Sequence, residues 1–338
     1  MSTLKKAHEL HQKYFVADAH NDILANVLRK RNEGRVKVIE TDYLADMKEG
    51  GINLVICSLF VDDIYLPEMS LRRALDQIAA LYEEVSESPG KFRLCRSATE
   101  IKSAVKSDEI AFLLSFEGVE PLGNDMSLLR VFYELGVRGV GLVWSRRNHA
   151  ADGCSFIPRE EGQRGGLTHW GVKLLKEIER LGMYIDVSHL NNEGFSDVMK
   201  FYRQPFMASH SNSRKLTPVM RNLTDGQVKE IASRGGFIGM NVCSAFCGDA
   251  EKEKITEKHL LSHIKEMLNL SAPVGFGLDF CDEMRRLPPQ PAENYDSIPN
   301  YASSVKLTAL MLENGIAEPE IEKILGGNLL NFIEKVIG

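Results

Sequence analysis

The chain has no run of eighteen consecutive apolar residues, which excludes a membrane-spanning helix. Basic residues are in deficit: 41 Lys and Arg stand against 47 Asp and Glu, for a formal net charge of −6 and a pI near 5.9. A nucleic-acid binder usually carries a clustered positive excess, so nucleic acid is not an expected partner. Aromatics are scarce at 8%, yet 43% of residues are hydrophobic, so a large aliphatic core can form and disorder is excluded. Cysteine is thinly spread over Cys57, Cys95, Cys154, Cys243, Cys247 and Cys281. Cys243 and Cys247 face no second pair, so the cysteines read as free buried thiols and not as a structural zinc site. A glycine-rich phosphate loop is missing as well, since Gly136, Gly139 and Gly141 have another spacing and no acidic ribose partner. The polar stretch Met1–Lys13 lacks the apolar core of a secretory signal, and the expectation is a cytoplasmic protein.

What is present is an alternation. Short apolar runs recur at Phe15–His20, Asn53–Phe60, Ile110–Phe116, Val137–Val143, Met183–Ser188, Phe206–Ser209, Phe237–Val242 and Val274–Phe280. Most are continuously hydrophobic, the pattern of strands buried on both faces of a parallel sheet. Amphipathic stretches separate them, among them Leu71–Ser86, Thr168–Leu181, Thr224–Ser233 and Thr256–Leu270. Thr224, with Gln227 three residues on, reads as a capped helix start. Eight strands alternating with helices are the count of a closed (β/α)8 barrel of the TIM type, an α/β fold that one domain of 338 residues can fill. No repeat or composition shift marks a second domain within 1–338, and the proline-rich stretch Leu287–Pro299 is expected to form a long functional loop after the eighth strand.

Ionisable residues collect where a barrel carries its chemistry, at the C-terminal ends of the strands. The first strand ends in His20-Asn21-Asp22, whose alternate residues share one face. The third runs through five apolar residues into Glu117, a carboxylate costly to bury unless paired or metal-bound. His189, His210 and Asp279 follow the fifth, sixth and eighth strands. Singly, each has a plain structural explanation, such as capping a loop or the next helix. Together they make three histidines and three carboxylates on five strand ends, a donor set that suits zinc or a similar divalent ion. Six groups exceed one open tetrahedral site and match two metals bridged by a carboxylate, the arrangement of a metal-dependent hydrolase.

These residues, in this order, resemble the membrane (renal) dipeptidase family, the M19 metallopeptidases. The resemblance is carried by Asp18-Ala19-His20-Asn21-Asp22, Ser115-Phe116-Glu117-Gly118, Asp186-Val187-Ser188-His189, Ser209-His210-Ser211-Asn212, Arg221-Asn222-Leu223-Thr224-Asp225, Val274 to Phe280, and Gly326 to Leu330. It spans about residues 14 to 333. It implies a zinc-dependent dipeptidase in which His20 and Asp22 bind one metal, His189 and His210 the other, and Glu117 bridges them. A hydroxide shared by both metals would attack the peptide carbonyl, and Asp279 would carry the proton to the departing amine. Arg221 would hold the terminal carboxylate of the dipeptide substrate, a bidentate task suited to a guanidinium. The resemblance also implies a homodimer and tolerance of a D-residue at the C-terminal position.

The chain departs from the family in two places. Trp144 stands where the family usually has a histidine that polarises the scissile carbonyl; His149, Arg146 or Arg147 could take its part, and a plain loop position for His149 stands beside these. Cys243 falls where relatives often carry a tyrosine near the substrate. Arg146, Arg147 and Arg214 are expected near the mouth, where they would favour acidic or extended substrates. Two other functions compete with the dipeptidase. An amidohydrolase-like enzyme acting on another amide or ester bond would usually begin with His-x-His and often bring a bridging lysine, whereas this chain has His20-x-Asp22 and no lysine at a strand end. A non-catalytic binding module would be expected to lack a ligand, yet all five and Asp279 are present.

Overall fold

The computed structural model describes residues 2–154, 162–280 and 294–338. Its strands are β1 (Val16–Asn21), β2 (Ile52–Phe60), β3 (Phe92–Leu94), β4 (Ile110–Glu117), β5 (Val137–Gly141), β6 (Tyr184–Asp186), β7 (Met207–Ala208), β8 (Phe237–Met240) and β9 (Val274–Phe276). They lie in the order β2-β1-β9-β8-β7-β6-β5-β4-β3, and β2 pairs again with β4. Eight parallel strands thus close into a barrel with helices around it, the (β/α)8 architecture expected from the apolar runs.

The continuous runs are buried because both faces of a barrel strand are covered: all of β4 is buried, and all of β2 except Asn53. The helix Ser70–Glu87 lays Ala74, Ile78 and Leu81 against the sheet at helical spacing. Helices also form at His169–Leu181, Asp225–Ser233 and Glu257–Asn269, close to their expected bounds. Thr224 caps its helix as read: its hydroxyl accepts from the Gln227 N–H while the Gln227 side chain accepts from the Thr224 N–H, a device worth about 1 kcal/mol.

Three features differ from the sequence reading. β3 is an additional strand that pairs beside the first half of β4, before β5 takes over the same edge. β6 and β7 shrink to three and two residues, because the chain beyond them turns to deliver side chains to the rim. The polar N-terminus forms a helix, Thr3–Lys13, whose His11 is buried between Gly50 O and Thr308 Oγ1, each 2.7 Å away; burial pushes this ring down to about 4. Of the expected loop Leu287–Pro299, residues 287–293 lie outside the described residues. The remainder runs back along the end of β8, where Ser297 N donates to Val242 O at 2.8 Å. Among the described residues, no helix is long and apolar enough to cross a membrane.

Candidate metal centre

Five strand ends bring six ionisable side chains together at the C-terminal rim. His20 and Asp22 come from β1, Glu117 from β4, His189 from beyond β6, His210 from beyond β7 and Asp279 from beyond β9, and none is more than 7% exposed. Two of them, His189 (φ 66°) and Asp279 (φ 53°), have left-handed backbones, a conformation that costs about 1–3 kcal/mol and persists where the surroundings enforce it. At Asp279 the enforcement is visible: its N–H donates to His20 O at 3.1 Å, and the preceding Leu278 N–H donates to Asp18 Oδ1 at 2.8 Å. The strands also approach closely below the rim. A methyl group added at Gly239 or Gly277 would come within 1.7 or 1.8 Å of the Ser209 carbonyl oxygen, so only glycine fits beside His210.

The ligand atoms form three overlapping sets, each within 4.8 Å: His20 with Asp22 and Glu117, Glu117 with His189 and His210, and His20 with His210 and Asp279. Glu117 is the hub. Its Oε1 lies 3.0 Å from His189 Nε2, 3.5 Å from His210 Nε2 and 3.6 Å from His20 Nε2. Each ring turns Nε2 inward because its other nitrogen is held from behind. Ser145 Oγ is 2.7 Å from His189 Nδ1, and Ser209 Oγ is 2.6 Å from His210 Nδ1 and 3.3 Å from His20 Nδ1. Ser209 donates to Asp186 Oδ2, and Asp186 Oδ1 accepts from the N–H groups of Ser188 and Ser209, both at 2.9 Å. Asp22 accepts from the Ser58 hydroxyl.

The electrostatics of this cluster do not balance internally. Burial, then the nearby Asp22 charge, pushes Glu117 well above the usual carboxylate range, and burial also raises Asp279. Burial opposes charge on His20 too, yet Glu117, Asp22 and Asp279 hold it up at about 10. His189 and His210 are pushed far down by burial, with Arg221 and His20 adding to it, so both stay neutral as metal ligands must. Within the cluster, His20 Nε2 and Glu117 Oε2 are buried without a hydrogen-bond partner among the described residues. Carboxylates facing one another around inward-turned imidazoles, with orphaned donor atoms between them, fit divalent cations.

Arg221 is 3% exposed beside this cluster. It donates to Ser211 Oγ and to His210 O, both at 2.7 Å, while its Nε is buried without a partner among the described residues. Both of those hydrogen bonds go to neutral groups. The arginines expected at the mouth are engaged otherwise. Arg146 donates to Glu120, Asp63 and Val61 O at 2.7–2.9 Å. Arg147 pairs with Asp152 and reaches Gln163 O, and Arg214 donates to Asn222 O, Asn192 Oδ1 and Met220 O. His149 is exposed and lines a cavity of about 550 Å³ with Leu66, Pro67 and Leu128, which none of the six clustered residues reaches. Trp144 packs between Phe60 and the His189 ring, with centroids 5.3 and 5.8 Å away, and Arg146 lies 5.1 Å over it. Cys243 is buried, and its N–H donates to Asn241 Oδ1 at 2.7 Å.

Sequence reasoning passed over Ser145, Ser209 and Asn241, because neutral side chains give no titratable signal. The Ser-His pairs Ser188-His189 and Ser209-His210, each just past a short apolar run, were the available hint.

A parallel barrel with buried histidines and carboxylates converging on its C-terminal rim defines a metal-dependent hydrolase of the barrel type. The sequence matches the membrane dipeptidase family, peptidase family M19, over residues 4–337. Similar solved structures include a dipeptidase AC, a metallopeptidase of family M19, at 29% identity and a TM-score of 0.85, covering 96% of this chain and 99% of that one. Another is a metallopeptidase from Rhodobacter sphaeroides liganded with a phosphinate mimic of the dipeptide L-Ala-D-Ala, at 28% identity, a TM-score of 0.85 and the same coverage. Dipeptidase ataJ of Aspergillus terreus is 26% identical over 98% of this chain and 87% of its own length. The chain belongs to the membrane dipeptidase family, peptidase family M19, and is a metallo-dipeptidase.

Proposed function

We propose that this chain hydrolyses dipeptides with two divalent cations at the barrel rim, zinc being the ion its mixed imidazole and carboxylate donors suit. His20 and Asp22 would hold one ion, His189 and His210 the other, and Glu117 would stand between them. The observation that carries this reading is the central place of Glu117, whose Oε1 lies 3.0–3.6 Å from all three histidines. Such ions, when bound, polarise a carbonyl oxygen and bring water toward ionisation near neutral pH.

The remaining steps belong to the chain's own groups. Asp279 takes the proton of the attacking water and passes it to the departing amine; its left-handed backbone and its distance of 3.9 Å from His20 Nε2 support that role. Arg221 receives the substrate's terminal carboxylate, its guanidinium held in place by Ser211 and His210 O. Trp144 stands where the family's histidine would, and Arg146 is locked to Glu120 and Asp63, so neither supplies an imidazole to the scissile carbonyl; two divalent ions, if bound, would polarise it. The relative that binds a mimic of L-Ala-D-Ala supports tolerance of a D-residue at the C-terminal position. The same reading keeps the chain as one catalytic domain and a cytoplasmic homodimer, for which light scattering and cell fractionation are the checks. A library of L-Xaa-L-Xaa and L-Xaa-D-Xaa dipeptides, assayed with the zinc-loaded protein, tests the function: hydrolysis of dipeptides is expected, and a protein that takes up zinc but cleaves none of them would refute it.

A further inference from the structure

We propose that Asn241 is a positioning residue that holds the carboxylate of Asp279 in its proton-transferring orientation; this rests on the role given to Asp279 above. Asn241 directly follows β8 and is completely buried. Its backbone is clamped by Asn212: Asn241 N donates to Asn212 Oδ1 at 3.0 Å, and Asn212 Nδ2 donates to Asn241 O at 2.9 Å. Its side chain then spans two partners. Oδ1 accepts from Cys243 N at 2.7 Å, and Nδ2 donates to Asp279 Oδ2 at 2.7 Å.

The direction of the amide follows from chemistry. A backbone N–H can only donate, so the amide oxygen must face Cys243 and the NH2 must face Asp279. The terminal torsion of an aspartate is soft, and the backbone of Asp279 fixes only where that side chain starts. The Asn241 amide adds a constraint by pinning Oδ2, with Oδ1 then 3.9 Å from His20 Nε2. A proton carrier must meet first the water and then the leaving amine, and misplacement by an ångström is enough to slow such a step about 10²-fold.

Two variants separate positioning from simple support of the loop. In Asn241→Asp the shape and the acceptor for Cys243 N remain, while the donor to Asp279 gives way to a carboxylate oxygen that repels it. In Asn241→Ser the side chain is too short to reach Asp279 and adds no charge, so it carries the test should the first variant fail to fold. Steady-state hydrolysis of L-Ala-L-Ala and L-Ala-D-Ala, zinc content and thermal melting are measured for each, alone and combined with Asp279→Asn. Both variants are expected to lose about 10²-fold in kcat, with KM and zinc content as in the parent. Asn241→Asp is expected to cause no further loss on the Asp279→Asn background, because residues acting as one unit do not add. Parental kcat in Asn241→Asp, or a loss that multiplies in full with Asp279→Asn, would overturn the proposal. An Asp279→Asn protein with undiminished turnover would overturn the role of Asp279 itself, and this proposal with it.

Discussion

Two clusters of buried charge lie in this molecule and are balanced in different ways. Under the helix Ser70–Glu87, the fully buried Glu84 accepts from Arg31 at 2.5 Å and from Ile39 N at 2.7 Å. The same arginine binds Glu83 and Glu87, and it holds Glu87 down at about 2. There the protein supplies its own cation. At the barrel rim Asp22, Glu117 and Asp279 crowd around three imidazoles, two of which burial keeps neutral, and Glu117 is pushed up instead of down. Each cluster contains a buried carboxylate, Glu84 in one and Glu117 in the other, so burial does not distinguish structure from site. The distinction lies in how far the chain provides the compensating charge: at the rim His20 and Arg221 offset the carboxylates only in part, since Glu117 and Asp279 are still pushed up.

Substitutions on the two sides should therefore fail in opposite ways. The largest effect is expected from Glu117→Gln, which should abolish dipeptide turnover and lower zinc content while leaving thermal stability in the absence of zinc unchanged or higher. A melting curve and metal analysis check both halves. Next comes Asp279→Asn, expected to reduce kcat roughly 10²–10⁴-fold with zinc retained; near-parental kcat would remove Asp279 from the mechanism. Arg31→Met, in contrast, should cost about 3–5 kcal/mol of stability by stranding Glu84, with kcat/KM per folded molecule unchanged. If Arg31→Met spared stability, the comparison would break on its structural side.

Smaller effects sharpen the comparison. Ser209→Ala removes the hydroxyl that meets both His20 and His210 from behind, and zinc affinity should fall about 10–100-fold by competition with a chelator. The smallest effect concerns specificity. Arg146 and Arg147 are paired with carboxylates, as Arg31 is, and Arg214 is held by Asn222 O, Asn192 Oδ1 and Met220 O, so Xaa-Asp and Xaa-Glu should be cleaved no better than Xaa-Ala. A clear acidic preference would show that one of these arginines is released to the substrate.

The sequence was informative where physics leaves a local trace. Strands covered on both faces must be apolar throughout, so the barrel was legible in runs such as Ile110–Phe116. A charge placed directly after such a run stands out, so His20, Asp22, Glu117, His189, His210 and Asp279 were legible too, and the structure brings all six together. β3 left little trace because Phe92-Arg93-Leu94 is short, is interrupted by a charge and pairs along only half of β4. The engagement of the mouth arginines was hidden for another reason: Arg146 meets Glu120 and Asp63, 26 and 83 residues away, and only the closed barrel makes them neighbours. Ser209 reaches His20 and Asp186, and Asn241 reaches Asp279, across to other strands, which local pattern cannot report.

The most direct test of the account is a zinc titration of chelator-treated protein, followed by dipeptide hydrolysis. Turnover should be absent after chelation and should rise until two zinc ions are bound per chain. Full turnover after chelation, or saturation of activity at a single ion, would contradict it.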